Sequence, residues 1–211
     1  MKPWEMFTHL KDLKHSQFKT AENDVQYLIT VDDSEKNIYI WFEESCGKID
    51  WKNNLNFPVK IYKKQKSCLK AARGWGDAWK SCKDQIVAEY LQVLMKHFEY
   101  ATTICGWSYG GAMAVLAAED IYYRTGRKPH VRTWGAPKVL WGRKTQKYVR
   151  SCCSSYIQFV HVNDCVPLLP PFPGYCRLST DKVGKGFSIF KLFNPVVYHQ
   201  IYGEKEIYPC S

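Results

Sequence analysis

The chain has 211 residues, 45% of them hydrophobic and 15% aromatic, which is typical of a folded protein with one well-packed core and excludes a disordered chain. The formal net charge is +10, a balance that suits either nucleic acid or an anionic membrane surface. No nucleic-acid motif accompanies the basic residues, so we expect no nucleic-acid partner and keep peripheral contact with an anionic membrane as a hypothesis. The basic residues cluster modestly at Lys60, Lys63, Lys64, Lys66 and Lys70.

Several classes of protein are excluded by what the sequence lacks. No stretch approaches about 18 consecutive apolar residues, so no transmembrane segment is expected. The first residues lack the apolar run and cleavage site of a secretory signal, so we expect synthesis in the cytoplasm. The nine cysteines form no C-x-x-C pair, so we predict no metal site and no cofactor, and expect mostly buried, reduced thiols.

The predicted elements alternate between strands and helices. In chain order they are a short basic helix over 4–15, strands over 25–30 and 38–42, a helix after Gly76, a strand over 101–105, a helix from Gly110 to Gly126, and strands over 131–134 and 156–162. The first two strands form an antiparallel hairpin. The later alternation predicts an α/β fold with a mostly parallel central sheet and helices on both faces. We find no repeat or linker, and therefore predict a single domain over 1–211.

The clearest chemical motif is G-W-S-Y-G at residues 106–110, a G-x-S-x-G pentapeptide. The pattern alone is weak, but here an apolar strand precedes it and a helix rich in small residues follows. A nucleophile on a tight strand-to-helix turn needs minimal neighbours, which Gly106 and Gly110 provide. Ser108 is therefore the predicted nucleophile, with the backbone N–H of Tyr109 as one donor of the oxyanion hole.

A serine nucleophile needs a base and an acid that orients the base. His130, His161 and His199 follow Ser108, and we favour His199, because His130 precedes a strand and His161 falls within one. Asp164 is the favoured acid, because it follows a strand at the sheet edge where α/β sites assemble. The rival acids are Glu119 and Asp120, in a predicted helix, and Asp181, in a predicted polar loop.

The chain resembles the class 3, or fungal-type, lipases of the α/β-hydrolase fold. Four segments carry the resemblance: G-W-S-Y-G-G-A at 106–112, T-W-G-A-P-K-V at 133–139, H-V-N-D-C-V-P-L-L-P at 161–170, and the ending over 198–208. They are similar to the family's nucleophile elbow, a strand and turn, the segment of its catalytic Asp, and the segment of its catalytic His. Trp107 departs from this pattern, because the family usually has His at that position.

A fifth segment matches in part. Residues 42–55 line up with the family's F-R-G-T/S, D-W and N-L pattern, which implies an active-site lid and a role for Ser45 in the oxyanion hole. The family's Arg and Gly are replaced by Glu43 and Glu44. A carboxylate beside an oxyanion repels it, so we expect these two side chains to point to solvent, or the loop to move.

The resemblance implies a serine hydrolase that cleaves carboxylic esters of lipids through a Ser108–His199–Asp164 triad and an acyl-enzyme. Two enzymatic alternatives stay open, a phospholipase and an esterase for small esters, because the acyl pocket cannot be read from the sequence. A third alternative is a catalytically weak or inactive relative that binds ligand through the same fold. A reactive serine separates the enzymes from the inactive relative.

Overall fold

The computed structural model describes residues 1–13, 17–44, 58–64, 68–185 and 195–208. Its α-helices are α1 (Pro3–Asp12), α2 (Arg73–Lys96), α3 (Tyr109–Thr125), α4 (Arg143–Ser151) and α5 (Pro195–Gln200). Its strands are β1 (Lys19–Thr20), β2 (Gln26–Asp32), β3 (Asn37–Phe42), β4 (Val59–Lys64), β5 (Cys68–Ala72), β6 (Ala101–Trp107), β7 (His130–Trp134), β8 (Leu140–Trp141), β9 (Ser155–His161), β10 (Tyr175–Cys176) and β11 (Asp181–Val183). Short 3₁₀ helices cover Glu22–Asp24, Val166–Leu168, Ile201–Gly203 and Lys205–Ile207.

Within these residues the larger sheet has seven strands in the order β1-β2-β3-β6-β7-β9-β11. β1, β2 and β3 pair antiparallel, whereas β3, β6, β7, β9 and β11 run parallel. Every residue of β3 is buried, as expected of a strand covered on both faces. The parallel strands all end at one edge of the sheet, which brings the segments that follow β3, β6, β7 and β9 together.

Helices and 3₁₀ segments cover both faces of this sheet. α2 and α3 lie on one face and bury a large apolar cluster with it. α1 and the C-terminal segment cover the other face, where the cluster is mainly aromatic. Its largest fully buried members are Phe7, Trp41, Trp134, Phe159 and Tyr202. The predicted fold class, a mostly parallel sheet with helices on both faces and an N-terminal antiparallel hairpin, is confirmed.

The structure also differs from the prediction at several elements. A second, antiparallel sheet in the order β10-β8-β5-β4 was not predicted, because its strands are short or lysine-rich. α2 begins at Arg73 rather than after Gly76, and Asp181 opens β11 rather than lying in a loop. Among the described residues no helix is long and apolar enough to span a membrane.

Four cysteines of the described residues, Cys82, Cys105, Cys152 and Cys153, are buried. Burial raises the pKa of the Cys82 and Cys153 thiols to about 12, so these thiols stay protonated at neutral pH. They pack as small apolar groups.

Candidate active site

Ser108 lies on a strained turn between β6 and α3. Its backbone has φ 54° and ψ −120°, a conformation that costs free energy in a residue with a side chain and persists only where the surroundings impose it. The Ser108 N–H donates to the carbonyl of Trp134 at 3.0 Å. The Ser108 carbonyl accepts the N–H of Gly111, also at 3.0 Å, so the elbow is held from both sides.

The two glycines of the elbow are required by close backbone contact. A Cβ on Gly106 would lie 2.2 Å from the carbonyl oxygen of Gly110. A Cβ on Gly110 would lie 2.3 Å from the carbonyl oxygen of Phe42. These distances are far below van der Waals contact, so the turn closes only without side chains, as the elbow motif requires.

The predicted base and acid are in direct contact. The Nδ1 of His199 lies 2.8 Å from Oδ2 of Asp164, and the Asp164 side chain is completely buried. A carboxylate only accepts hydrogen bonds, so Nδ1 is the donor and Nε2 is left unprotonated in the neutral ring. Nε2 is buried without a hydrogen-bond partner among the described residues.

Two further donors hold the Asp164 carboxylate. The hydroxyl of Tyr202 donates to Oδ2 at 2.6 Å, and the N–H of Val166 donates to Oδ1 at 2.9 Å. Burial, reinforced by the Asp164 charge, raises the pKa of Tyr202 well above its ordinary value, so the phenol keeps its proton and remains a donor. The Tyr202 oxygen also accepts the N–H of His161 at 3.1 Å, which fixes the phenol in place.

Gly135, the first residue after β7, lies against both members of this pair. A Cβ on Gly135 would be 2.7 Å from Cε1 of His199 and 2.9 Å from Oδ2 of Asp164. The residue before it, Trp134, accepts the Ser108 N–H. The His199 ring and the Ser108 backbone therefore both contact the end of β7, so Ser108, His199 and Asp164 all lie at the C-terminal edge of the parallel sheet.

The rival histidines are occupied elsewhere. His130 opens β7 at the opposite edge of the sheet, and its Nδ1 lies 2.8 Å from the Ser155 hydroxyl. His161 is buried at the end of β9, where its Nδ1 accepts the N–H of Asn163 at 3.2 Å. Its ring stacks on Tyr198, with centroids 5.2 Å apart.

The rival acids lie away from the His199 ring. The buried side chains of Glu119 and Asp120 in α3 accept hydrogen bonds from Tyr148 at 3.2 Å and from the Trp79 indole at 2.7 Å, respectively. Asp181 is exposed.

The structure describes only one of the two predicted oxyanion-hole residues. Tyr109 is the first residue of α3, so its N–H is at the helix N-terminus beside Ser108, where the helix dipole favours negative charge. Ser45 lies outside the described residues, together with the segment expected to form the lid.

Glu43 and Glu44 do not point freely to solvent. Both are half-buried and line a cavity of about 110 Å³, together with Lys11, Trp107 and Gln200. Burial raises the pKa of the Glu44 carboxyl, although the nearby charges of His199 and Lys11 oppose the shift.

Sequence reasoning did not single out Tyr202 or Gly135. Tyr202 follows His199 by three residues, a spacing that could have indicated a neighbour of the base. Gly135 follows directly after β7, within the segment 133–139 that is similar to the family's strand and turn. The described residues contain no group of three or more His, Cys, Asp or Glu arranged to hold a metal ion.

Comparison with known families identifies the group of proteins to which these features belong. The family model described as "Lipase (class 3)" matches residues 39–173, more than half of the chain and a range that includes Ser108 and Asp164. The chain belongs to the class 3 lipase family. The resemblance seen in the sequence motifs is thereby confirmed.

Individual relatives of this lipase family agree with the assignment. A lipase from Rhizomucor miehei is 32% identical over 158 residues, which cover 73% of this chain and 43% of that protein. The secreted mono- and diacylglycerol lipase A of Penicillium cyclopium is 27% identical over 159 residues, covering 75% of this chain and 51% of that protein. The chain thus spans about half the length of these relatives.

Solved structures show the same architecture. The structure of Rhizomucor miehei triacylglyceride lipase superposes with a TM-score of 0.70 at 29% identity, covering 82% of this chain and 66% of that one. A triacylglycerol lipase described as having a serine protease triad for its catalytic centre superposes with a TM-score of 0.69 at 29% identity, covering 79% and 64% of the two chains.

Proposed function

We propose that this chain hydrolyses carboxylic esters of lipids, with Ser108 as nucleophile, His199 as general base and Asp164 as the acid that orients it. The observation that carries the proposal is the arrangement at the sheet edge. A strained serine elbow lies at the same edge of the sheet as a histidine whose Nδ1 is hydrogen-bonded to a buried carboxylate and whose Nε2 has no partner among the described residues. The relatives named above, a lipase and a mono- and diacylglycerol lipase, support a lipid ester as substrate.

The geometry suits a two-step acyl transfer. Ser108 Oγ attacks the ester carbonyl carbon while Nε2 of His199 takes the hydroxyl proton, and the carbonyl oxygen becomes an oxyanion that accepts the N–H of Tyr109, with Ser45 as the proposed second donor. The intermediate collapses as Nε2 returns the proton to the leaving alcohol. Water then repeats the sequence on the acyl-enzyme, which releases the carboxylic acid and restores Ser108.

Asp164 acts through the imidazole. Its bond to Nδ1 holds the ring in the tautomer that leaves Nε2 free to accept a proton, and its charge stabilises the imidazolium that forms. Tyr202 and the N–H of Val166 hold the carboxylate still. The protonated phenol of Tyr202 donates a hydrogen bond to the carboxylate and carries no charge of its own.

Labelling with a fluorophosphonate tests the proposal directly. We expect a stoichiometric adduct on Ser108, located by peptide mapping, together with hydrolysis of a short-chain nitrophenyl ester and of a monoacylglycerol. Ser108→Ala should abolish labelling at this position and lower the kcat of ester hydrolysis by roughly 10⁴- to 10⁶-fold. An unlabelled Ser108, or a Ser108→Ala protein within tenfold of wild-type activity, would contradict the assignment and favour an inactive relative.

Two histidine variants assign the base. His199→Ala should lower kcat about as much as Ser108→Ala, and the double variant should be no worse, because the triad acts as a unit. His161→Ala should lower stability, since it removes a buried and hydrogen-bonded ring, but should keep kcat within about tenfold of wild type. An inactive His161→Ala beside an active His199→Ala would reverse the assignment.

A further inference from the structure

We infer that Trp107 is a positioning residue for the catalytic base, acting through a hydrogen bond from its indole to the backbone carbonyl of His199. This inference rests on the proposed function, since it concerns the base of that reaction. Trp107 occupies the position of the elbow motif where the family usually has His. The indole donor therefore comes from a residue at which this chain departs from the motif.

The contact between the two residues is short and shielded. Nε1 of Trp107 donates to the His199 carbonyl oxygen at 2.9 Å, and the two ring centroids are 5.6 Å apart. Trp107 is 4% exposed, so water competes little for the bond. An indole N–H is only a donor and does not titrate in the working range of an esterase, so the bond persists while the imidazole gains and loses its proton.

This bond joins the base to the strand that carries the nucleophile. Trp107 is the last residue of β6, is in register with Trp134 of β7, and directly precedes Ser108. The sheet therefore fixes the backbone of Trp107, and the indole hydrogen bond positions the His199 backbone relative to it. Asp164 holds the ring at Nδ1 and Trp107 holds the main chain, so the direction of Nε2 is set from two separate points.

The indole is itself braced by α1. The ring of Phe7 packs edge-on against Trp107 at a centroid distance of 5.1 Å. The same ring contacts Trp134 at 5.8 Å and Tyr202 at 5.6 Å. Phe7 is completely buried, so it blocks rotation of the indole away from His199.

Placement of this kind affects the chemical step more than substrate binding. A displacement of about 1 Å at a reacting group can cost roughly 100-fold in rate. Replacing Trp107 with Phe keeps an aromatic ring in the cluster and removes the indole donor. We therefore expect a fall in kcat of roughly 10- to 100-fold, with KM within about twofold of wild type because ground-state binding is untouched.

Trp41 offers a matched control. It is 1% exposed in the same aromatic cluster as Trp107, and its indole donates to the Thr30 hydroxyl at 3.2 Å, away from His199. Trp41→Phe likewise removes a part-buried indole hydrogen bond. We expect the two variants to lose similar thermal stability, Trp107→Phe alone to lose kcat, and Trp107→Phe alone to slow fluorophosphonate labelling of Ser108.

A spectroscopic measurement on the wild-type protein covers the case in which Trp107→Phe does not fold. With ¹⁵N-labelled tryptophan, the Trp107 indole proton should exchange slowly with D₂O. Its resonance should also shift over the pH range of the acid limb of kcat/KM, whereas that of Trp41 should not. Rapid exchange with no pH-dependent shift would overturn the inference.

The outcomes separate the two claims. If wild-type protein neither hydrolyses esters nor reacts with the fluorophosphonate, the proposed function fails. If wild type reacts and Trp107→Phe keeps kcat within twofold, or if Trp41→Phe loses as much kcat as Trp107→Phe, the positioning role alone is overturned.

Discussion

At the residue scale, Glu44 is the side chain whose position departs most from expectation. The carboxyl is half-buried beside Trp107 and Gln200 rather than pointing to solvent, and burial raises its pKa. A carboxyl with a raised pKa binds its proton more tightly in the folded chain than in the unfolded one. It therefore favours folding most below its ordinary pKa, and this contribution is lost as the pH rises through the raised value.

We predict that Glu44→Gln becomes more stabilising, relative to wild type, as the pH rises. Gln carries no titratable proton, so the difference in Tm between variant and wild type should begin to grow near the ordinary glutamate pKa, about pH 4, and should level off above the raised pKa of Glu44. Thermal unfolding monitored by circular dichroism across this range measures the effect. Glu206→Gln, at an exposed position, is the control and should show no such trend; a difference for Glu44→Gln that is constant with pH would contradict the argument.

At the scale of elements, α1 links the N-terminus to the site. Pro3 lies in the first turn of the helix, and Met6, Phe7 and Leu10 form its buried face. This spacing places apolar side chains on one side of the helix. The buried face covers β6 and β7 where they lead into Ser108 and Gly135, and it also contacts Tyr202.

Phe7→Ala should therefore lower the free energy of unfolding by about 3–5 kcal/mol, since it removes a fully buried ring and leaves a cavity. Urea unfolding followed by tryptophan fluorescence measures the loss. Phe98→Ala is the matched control, because Phe98 is 70% exposed and contacts Arg127 through a cation–π interaction, so it should lose less than about 1 kcal/mol. A loss for Phe7→Ala as small as that expected for Phe98→Ala would show that the packing of α1 contributes little to stability.

At the scale of the whole molecule, the formal charge of +10 is spread over several basic segments. The lysine cluster over 60–70 lies largely among side chains that the structure does not describe, although Lys70 is exposed. Another basic segment is α4, which carries Arg143, Lys144 and Lys147 at exposed positions. We propose that anionic lipid surfaces attract the protein, because each basic residue near such a surface contributes about 1 kcal/mol.

The expected result is faster hydrolysis of a lipid ester in anionic vesicles than in zwitterionic vesicles at low ionic strength. The difference should disappear near 1 M salt, where the screening length falls to about 3 Å. A water-soluble ester measured in the same buffers controls for effects of salt on the chemistry. Equal rates on both kinds of vesicle at low salt would contradict the proposal.

Much of the fold and of the candidate site could be predicted from the sequence, because the signals are local. The hairpin of β2 and β3, the helix that ends at Gly126, and the strand leading to Ser108 each follow from periodicity and turn residues close together in the chain. Chain order and position after a strand led to the prediction of Asp164 and His199 over their rivals. The structure places these two side chains 2.8 Å apart.

Only the tertiary structure decided the contacts between residues that lie far apart in the chain. The second sheet pairs β5 with β8 and β8 with β10, short strands that have no period of their own to reveal them. The hydrogen bond from Trp107 to His199 crosses 92 residues, and that from Tyr202 to Asp164 crosses 38. A sequence shows which side chains can donate and accept, but which donor meets which acceptor depends on how the buried faces of separate elements pack together.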